Sequence, residues 1–223
     1  MDFAPPKLTT QKLVRAGFRD LLKPPFRTLL ALSLFLTLAS DSFGSQIDNT
    51  AAFLALALLI VSAYLEIAVM LAAAEASPNG SADTWIKNAV KARCFWRFSF
   101  AGLIAILLIA GGMFLLIVPG LILCGLLSLV QPAVVLERCG PVEALRRSAT
   151  VSLSARRPLA AVFFLFVLMP NLSLQIAQSL SGTQSLSAPW VALDLVTVVL
   201  YTGGAIALAR AFVALRPPPP QPL

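Results

Sequence analysis

Between Phe98 and Leu136 the chain runs for 39 residues without a charged side chain. A bilayer core about 30 Å thick takes about 20 residues of helix at about 1.5 Å each, so this run is nearly twice what one crossing needs. It must therefore fold back on itself. Pro119 and Gly120 lie near its middle. Proline lacks the N–H that a helix interior requires and glycine accepts turn dihedrals, so the sequence places the helix break at this pair. The two expected spans are Phe98–Val118 and Gly120–Leu136.

The same length test finds four further apolar segments, roughly Phe26–Ser40, Ala51–Ala74, Pro158–Ser179 and Pro189–Arg210. The expected fold is all-α: a polytopic membrane protein with six transmembrane helices. A chain that is 58% hydrophobic and only 12% charged, with a mean hydropathy of +0.86, lies outside the range of soluble domains. The first span is short and relies on Arg27 snorkelling or on thinned lipid. A cleaved signal peptide ending near Ser40 is the rival reading, but the long basic front end with Pro24-Pro25 argues against it.

Positive charge sets the orientation, because short cytoplasmic loops are rich in lysine and arginine. All 17 bases fall in the segment before the first span, the second loop, the fourth loop and the tail, which lie on one side. The three loops on the other side carry none. Both termini are thus expected in the cytoplasm. The six acids of the inner side, Asp2, Asp20, Glu75, Asp83, Glu137 and Glu143, leave a surplus of eleven positive charges there. Such a face attracts anionic headgroups. Nucleic acid is not expected as a partner, because the charge is split among short membrane-hugging segments without a binding module.

The inner segments also carry apolar faces. In the first, Leu13, Val14, Gly17, Phe18, Leu21 and Leu22 fall on one side of a helix and Lys12, Arg15, Arg19 and Lys23 on the other. In the second, Trp85, Ile86, Ala89 and Val90 oppose Lys87, Asn88 and Lys91, with Arg93 interrupting the apolar side. In the third, Ala144, Leu145 and Ala149 oppose Arg146 and Arg147. Helices of this kind lie in the membrane interface. Candidate headgroup ligands are therefore Lys12, Arg15, Arg19, Lys23, Lys87, Lys91, Arg146 and Arg147. The layout reads as a single transmembrane domain over residues 1–215. Three repeats of interfacial helix plus hairpin fit about 9–74, 82–136 and 141–210, followed by a proline-rich tail at 216–223. The alternative is that any helical loop beside a membrane becomes basic and amphipathic without a repeat.

The stretch LLIVPGLILCGLLSLVQPAVVLERCGPVEALRRSATV, residues 115–151, resembles a bacterial six-helix membrane domain. That domain occurs alone in inner-membrane proteins and fused to some glycerophosphodiester phosphodiesterases. The resemblance rests on Pro119-Gly120, then Pro132, then Glu137 and the run Glu143-Ala144-Leu145-Arg146-Arg147-Ser148. It implies a multi-pass protein of the bacterial inner (cytoplasmic) membrane and carries no catalytic residue across. The phosphodiesterase domain of the fused members has no counterpart in the chain, so hydrolase chemistry is not inherited.

Chemistry is sparse. Histidine is absent, and Cys94, Cys124 and Cys139 match no zinc or redox spacing. No phosphate-loop, nucleophile-elbow or dinucleotide fingerprint occurs. The expectation is no enzyme activity, no metal and no cofactor. Two acids lie inside spans, Glu66 and Asp194. An intramembrane acid costs at least about 2–3 kcal/mol on insertion scales. One reading makes Glu66 the titrating group of a small transporter or channel, with Ser62 and the Asn171, Ser173, Gln175, Gln178 face as polar lining. The other pairs Glu66 with a snorkelling Arg27, Arg97 or Arg157 and leaves Asp194 near the outer headgroups. Pro170 should kink the fifth span by freeing a carbonyl one turn upstream. Gly203-Gly204-Ala205 and Ala72–Ala74 are expected helix-packing seams, within one chain or in a homodimer. The tail RPPPPQPL is read as extended, with Arg216, Pro219 and Pro222 at the spacing of an SH3-type ligand. The leading functional expectation is non-catalytic: organising anionic lipid or serving as a subunit of a membrane assembly. A third reading makes the chain the membrane partner of a lipid-metabolism enzyme.

Overall fold

The computed structural model describes residues 9–43, 49–75, 80–181 and 188–216. The first eight residues and the polyproline tail with Pro219 and Pro222 lie outside the described residues. Every described element is helical. The chain forms α1 (Thr10–Leu21), α2 (Pro24–Phe43), α3 (Asn49–Ala74), α4 (Ala82–Ala92), α5 (Phe95–Leu115), α6 (Ile117–Leu127) and α7 (Val130–Glu137). Then follow α8 (Pro141–Ser152), a short turn of 3₁₀ helix, α9 (Arg156–Phe163), a π-helical stretch Phe164–Leu168, α10 (Met169–Ser181) and α11 (Ala188–Leu215). Among the described residues, five helical segments are long and apolar enough to cross a membrane, six if α1 and α2 together count as one broken span. Phe35, Phe53, Leu59, Ile106 and Leu107 are exposed on the outside of the bundle, an apolar surface suited to lipid. The chain is an all-α integral membrane protein.

Backbone chemistry explains the breaks. Lys23 precedes Pro24-Pro25, and a residue before proline is pushed out of the helical region, so α1 stops and α2 restarts at an angle of 84°. The two prolines then occupy the first turn of α2, where N–H groups have no intrahelical role. The α5–α6 turn is the single residue Leu116, with extended dihedrals of φ −160° and ψ 135°. This corrects the position expected from Pro119 and Gly120. Pro119 sits in the first turn of α6. Gly120 serves helix contact instead: a Cβ there would come within 2.7 Å of the Met113 backbone.

Two more prolines act one turn upstream of themselves. Pro132 cannot donate to the carbonyl of Ser128, and the span opens at Ser128-Leu129 into α6 and α7. Serines of α8 fill the opening. Ser148 Oγ donates to the Leu126 carbonyl at 2.6 Å and accepts from the Leu129 N–H at 3.2 Å, while Ser152 Oγ donates to the same carbonyl at 3.2 Å. Pro170 likewise leaves the Phe166 carbonyl without its usual donor, and the π-helical stretch lies there. The widened turn presses Phe166 onto Gly204, where a Cβ would stand 2.9 Å from that of Phe166. The π-helical stretch and the small-residue seam are thus two sides of one contact within the chain.

Three hairpins result, α2–α3, α5–α6–α7 and α9–α10–α11. Their return helices meet each other: α3 and α7 both pack against α11, and α3 packs against α7. Within their span windows the return helices are buried over 39% (α3), 61% (α6–α7) and 50% (α11), against 22% for α5 and 17% for the α8–α10 run. The return helices therefore form the core and the outgoing helices the lipid-facing shell. Each inner helix docks on the return helix of the hairpin before it, α4 on α3, α8 on α6 and α7, and α1 on α11, so α1 closes the ring. Small residues permit the closure. A Cβ on Gly17 would lie 2.5 Å from the Gly203 carbonyl oxygen, and one on Gly125 would lie 2.5 Å from that of Arg156. The junctions differ, however. α8 continues into α9 through the short 3₁₀ turn Leu153–Ala155 as one span, whereas α1 meets α2 almost at a right angle.

Candidate functional site

The basic side is built on α1, α4, α8 and the loops joining them to the spans. In α1 the buried positions are Leu13, Gly17, Asp20 and Leu21, with Val14 and Phe18 packed behind them. The expected apolar face is present but rotated, since Leu22 is 77% exposed and Asp20 is fully buried. It is covered by α11 and α9 rather than left open to lipid. The buried acid explains the rotation: Asp20 Oδ1 pairs with Lys23 Nζ at 2.7 Å and Oδ2 with Arg210 Nε at 2.7 Å, so one carboxylate ties α1 to the end of α11. In α4, Trp85 and Ala89 are buried while Val90 is exposed. Ser81 caps this helix by accepting from the Thr84 N–H, and Arg93 ends it in the left-handed region at φ 49°. In α8 the buried face is Ala144, Ser148, Val151 and Ser152, with Leu145 packed against it.

Three of the eight expected headgroup ligands already have carboxylate partners. Lys23 binds Asp20, Lys87 binds Asp83 at 2.7 Å, and Arg147 Nε binds both oxygens of Glu137 at 3.0 and 3.2 Å. The Asp83 carboxylate beside Lys87 pushes that amine above the ordinary lysine range. Lys12, Arg15, Arg19, Lys91 and Arg146 are exposed and have no ion-pair partner among the described residues. Asp20, Asp83 and Glu137 are thus neutralised internally, and the bases left over face outward. Beside them, Tyr64 stacks on Phe95 at 5.3 Å, Phe95 meets Trp96 edge-on, and Trp96 is 70% exposed next to Arg97. An exposed tryptophan beside an arginine at a span's start suits headgroup depth. Cys139, between α7 and α8, is half-buried, and burial, then the nearby Glu143 carboxylate, push its thiol up.

Inside the bundle, Glu66 has a different partner from the arginines expected. Tyr201 Oη donates to Glu66 Oε1 at 2.7 Å. Gln131 lies beside the same phenol. Glu66 lies on α3, Tyr201 on α11 and Gln131 on α7, one from each core helix. Arg97 Nη1 instead donates to the Arg138 carbonyl at 2.9 Å, while Arg27 and Arg157 are exposed. The lining proposed for a pathway is not brought to Glu66. Ser62 Oγ donates to Leu59, Asn171 Nδ2 to Val167, and Asn171, Ser173 and Gln175 are exposed on the shell. The side chain of Gln178 is outside the described residues. Asp194 is buried on α11, seven residues before Tyr201 and so about 10 Å from it along the helix. Tyr201 and Gln131 are missed when only charged residues are sought within spans. Their signal was position: each is a hydrogen-bonding side chain inside an apolar segment. Among the described residues no three His, Cys, Asp or Glu side chains gather to hold a metal.

Comparison with protein-family models, with curated proteins and with solved structures finds no match for this chain.

Proposed function

We propose that this protein is a non-catalytic membrane component of the bacterial inner membrane whose basic cytoplasmic face binds anionic lipid. The supporting observation is the set of outward bases, Lys12, Arg15, Arg19, Lys91 and Arg146, that have no ion-pair partner among the described residues, while Asp20, Asp83 and Glu137 are taken up by internal pairs. Docking of α1, α4 and α8 on the core fixes these bases relative to the spans, so little order is lost when a headgroup arrives. Each base near an anionic surface contributes about 1 kcal/mol. Removing the three on α1 should therefore weaken binding about a hundredfold. Such a face also suits a subunit of a larger assembly or the membrane partner of a lipid-metabolism enzyme, as the resemblance of residues 115–151 suggests.

The test is Lys12, Arg15 and Arg19 replaced together by glutamine, leaving Lys23 to hold Asp20. Lipid retained through purification in mild detergent is quantified by mass spectrometry. Loss of anionic lipid with zwitterionic lipid unchanged supports the reading. Unchanged anionic lipid in a folded variant overturns it.

A further inference from the structure

We infer that Glu66, Tyr201 and Gln131 form an intramembrane binding site for a single monovalent cation, a proton or a sodium ion, at the meeting of the three core helices. Three observations carry this. Glu66 Oε1 receives the Tyr201 hydroxyl at 2.7 Å, but its second carboxylate oxygen has no partner among the described residues. Among the described residues no basic side chain pairs with the acid. From α11 it faces Tyr201; from α7 Gln131 lies beside that phenol; from α5, Gly102 lies under the Gln131 amide, a Cβ there standing 3.4 Å from Nε2. On α2, Arg27 is exposed, and Arg97 on α5 is turned to the Arg138 carbonyl. On the docked helices, Asp20, Lys23, Arg210, Asp83 and Lys87 are paired among themselves, Arg147 pairs with Glu137, and Lys12, Arg15, Arg19, Lys91, Glu143 and Arg146 are exposed. A carboxyl in hydrocarbon that lacks a basic partner needs its charge cancelled by something else, and a small cation on the open oxygen does this.

The hydrogen bond has a direction. With Tyr201 donating to Glu66, the phenolic oxygen keeps a lone pair that the neighbouring Gln131 amide can fill, and the Tyr201 bond holds one carboxyl oxygen while the other stays open to a cation. The site joins one side chain from each hairpin, so its occupancy is felt where the bundle is held together. It does not depend on the lipid-binding face: the glutamine variants of α1 leave all three residues in place.

Dicyclohexylcarbodiimide tests the site, because it adds to carboxylic acids in apolar surroundings and leaves an adduct that mass spectrometry maps. The protein in proteoliposomes should be modified on Glu66, and Glu66→Gln should abolish that adduct. If the ligand is a proton, labelling falls as pH rises and sodium chloride acts no differently from potassium chloride. If it is sodium, sodium chloride protects selectively at constant pH. Tyr201→Phe separates the site from an isolated acid. Removing a donor that stabilises the anion should tighten proton binding about threefold to tenfold, whereas losing the bond that holds the carboxyl in place should weaken sodium protection by a similar factor. Absence of any Glu66 adduct at acidic pH overturns the inference. So does labelling indifferent to both pH and sodium, or labelling that is identical in Tyr201→Phe.

Discussion

Replacing Ser148 by alanine should damage this protein more than any comparable change on the surface of α8. The hydroxyl bridges the opening created by Pro132, giving its proton to the Leu126 carbonyl at 2.6 Å and receiving the Leu129 N–H at 3.2 Å. Leu129 is fully buried, so in Ser148→Ala its N–H loses its partner without gaining water. A buried unpaired backbone donor costs about 1–3 kcal/mol. The Leu126 carbonyl fares better, since Ser152 Oγ still reaches it at 3.2 Å. The expected loss is therefore about 2 kcal/mol for Ser148→Ala and less than about 1 kcal/mol for Ser152→Ala. Because both serines serve one acceptor, the double variant should exceed the sum of the singles by about 1 kcal/mol. Heating in detergent while a thiol-reactive dye reports the buried Cys94 and Cys124 gives the midpoints. Ser148→Ala at the wild-type midpoint, or strict additivity in the double variant, would refute the bridging role.

Gly17→Ala and Gly125→Ala should each destabilise by about 1–3 kcal/mol, because a Cβ would meet a backbone oxygen at 2.5 Å; Gly111→Ala, with open space around it, should be silent in the same melts. Asp20→Asn should cost about 3–5 kcal/mol by leaving Lys23 and Arg210 without their shared anion, and partial proteolysis should then cut α1 first. Cys139 should react with maleimide more slowly than a free thiol at neutral pH, and its rate should keep rising with pH beyond the point where a free thiol levels off. Burial and Glu143 hold its proton on, so a rate equal to that of a free thiol would contradict this.

Length and hydropathy alone carried most of the architecture, since hydrocarbon admits only helices here and each crossing has a minimum length. The hairpin within residues 98–136 followed from that arithmetic. Its turn did not, because a one-residue reversal at Leu116 needs neither proline nor glycine and Gly120 is demanded by contact with Met113. Amphipathic patterning found α1, α4 and α8 but assumed that lipid covers their apolar faces. Protein covers much of them, and Asp20 sits among buried residues because its two cations arrive from Lys23 and from the far end of the chain. The Glu66 site was half legible. The acid stood out in an apolar run, but its partners lie 65 and 135 residues onward and no local pattern joins them.

Threading underlies the lipid-binding proposal, because the lipid face requires α1, α4 and α8 on one side of the membrane. Single cysteines at exposed Arg15, Lys91 and Arg146, in a background without Cys94, Cys124 and Cys139, measure it directly with an impermeant maleimide. The expected result is no labelling of any of the three in intact cells and labelling of all three in inside-out vesicles. Labelling of one from outside while another is protected would contradict a shared basic face.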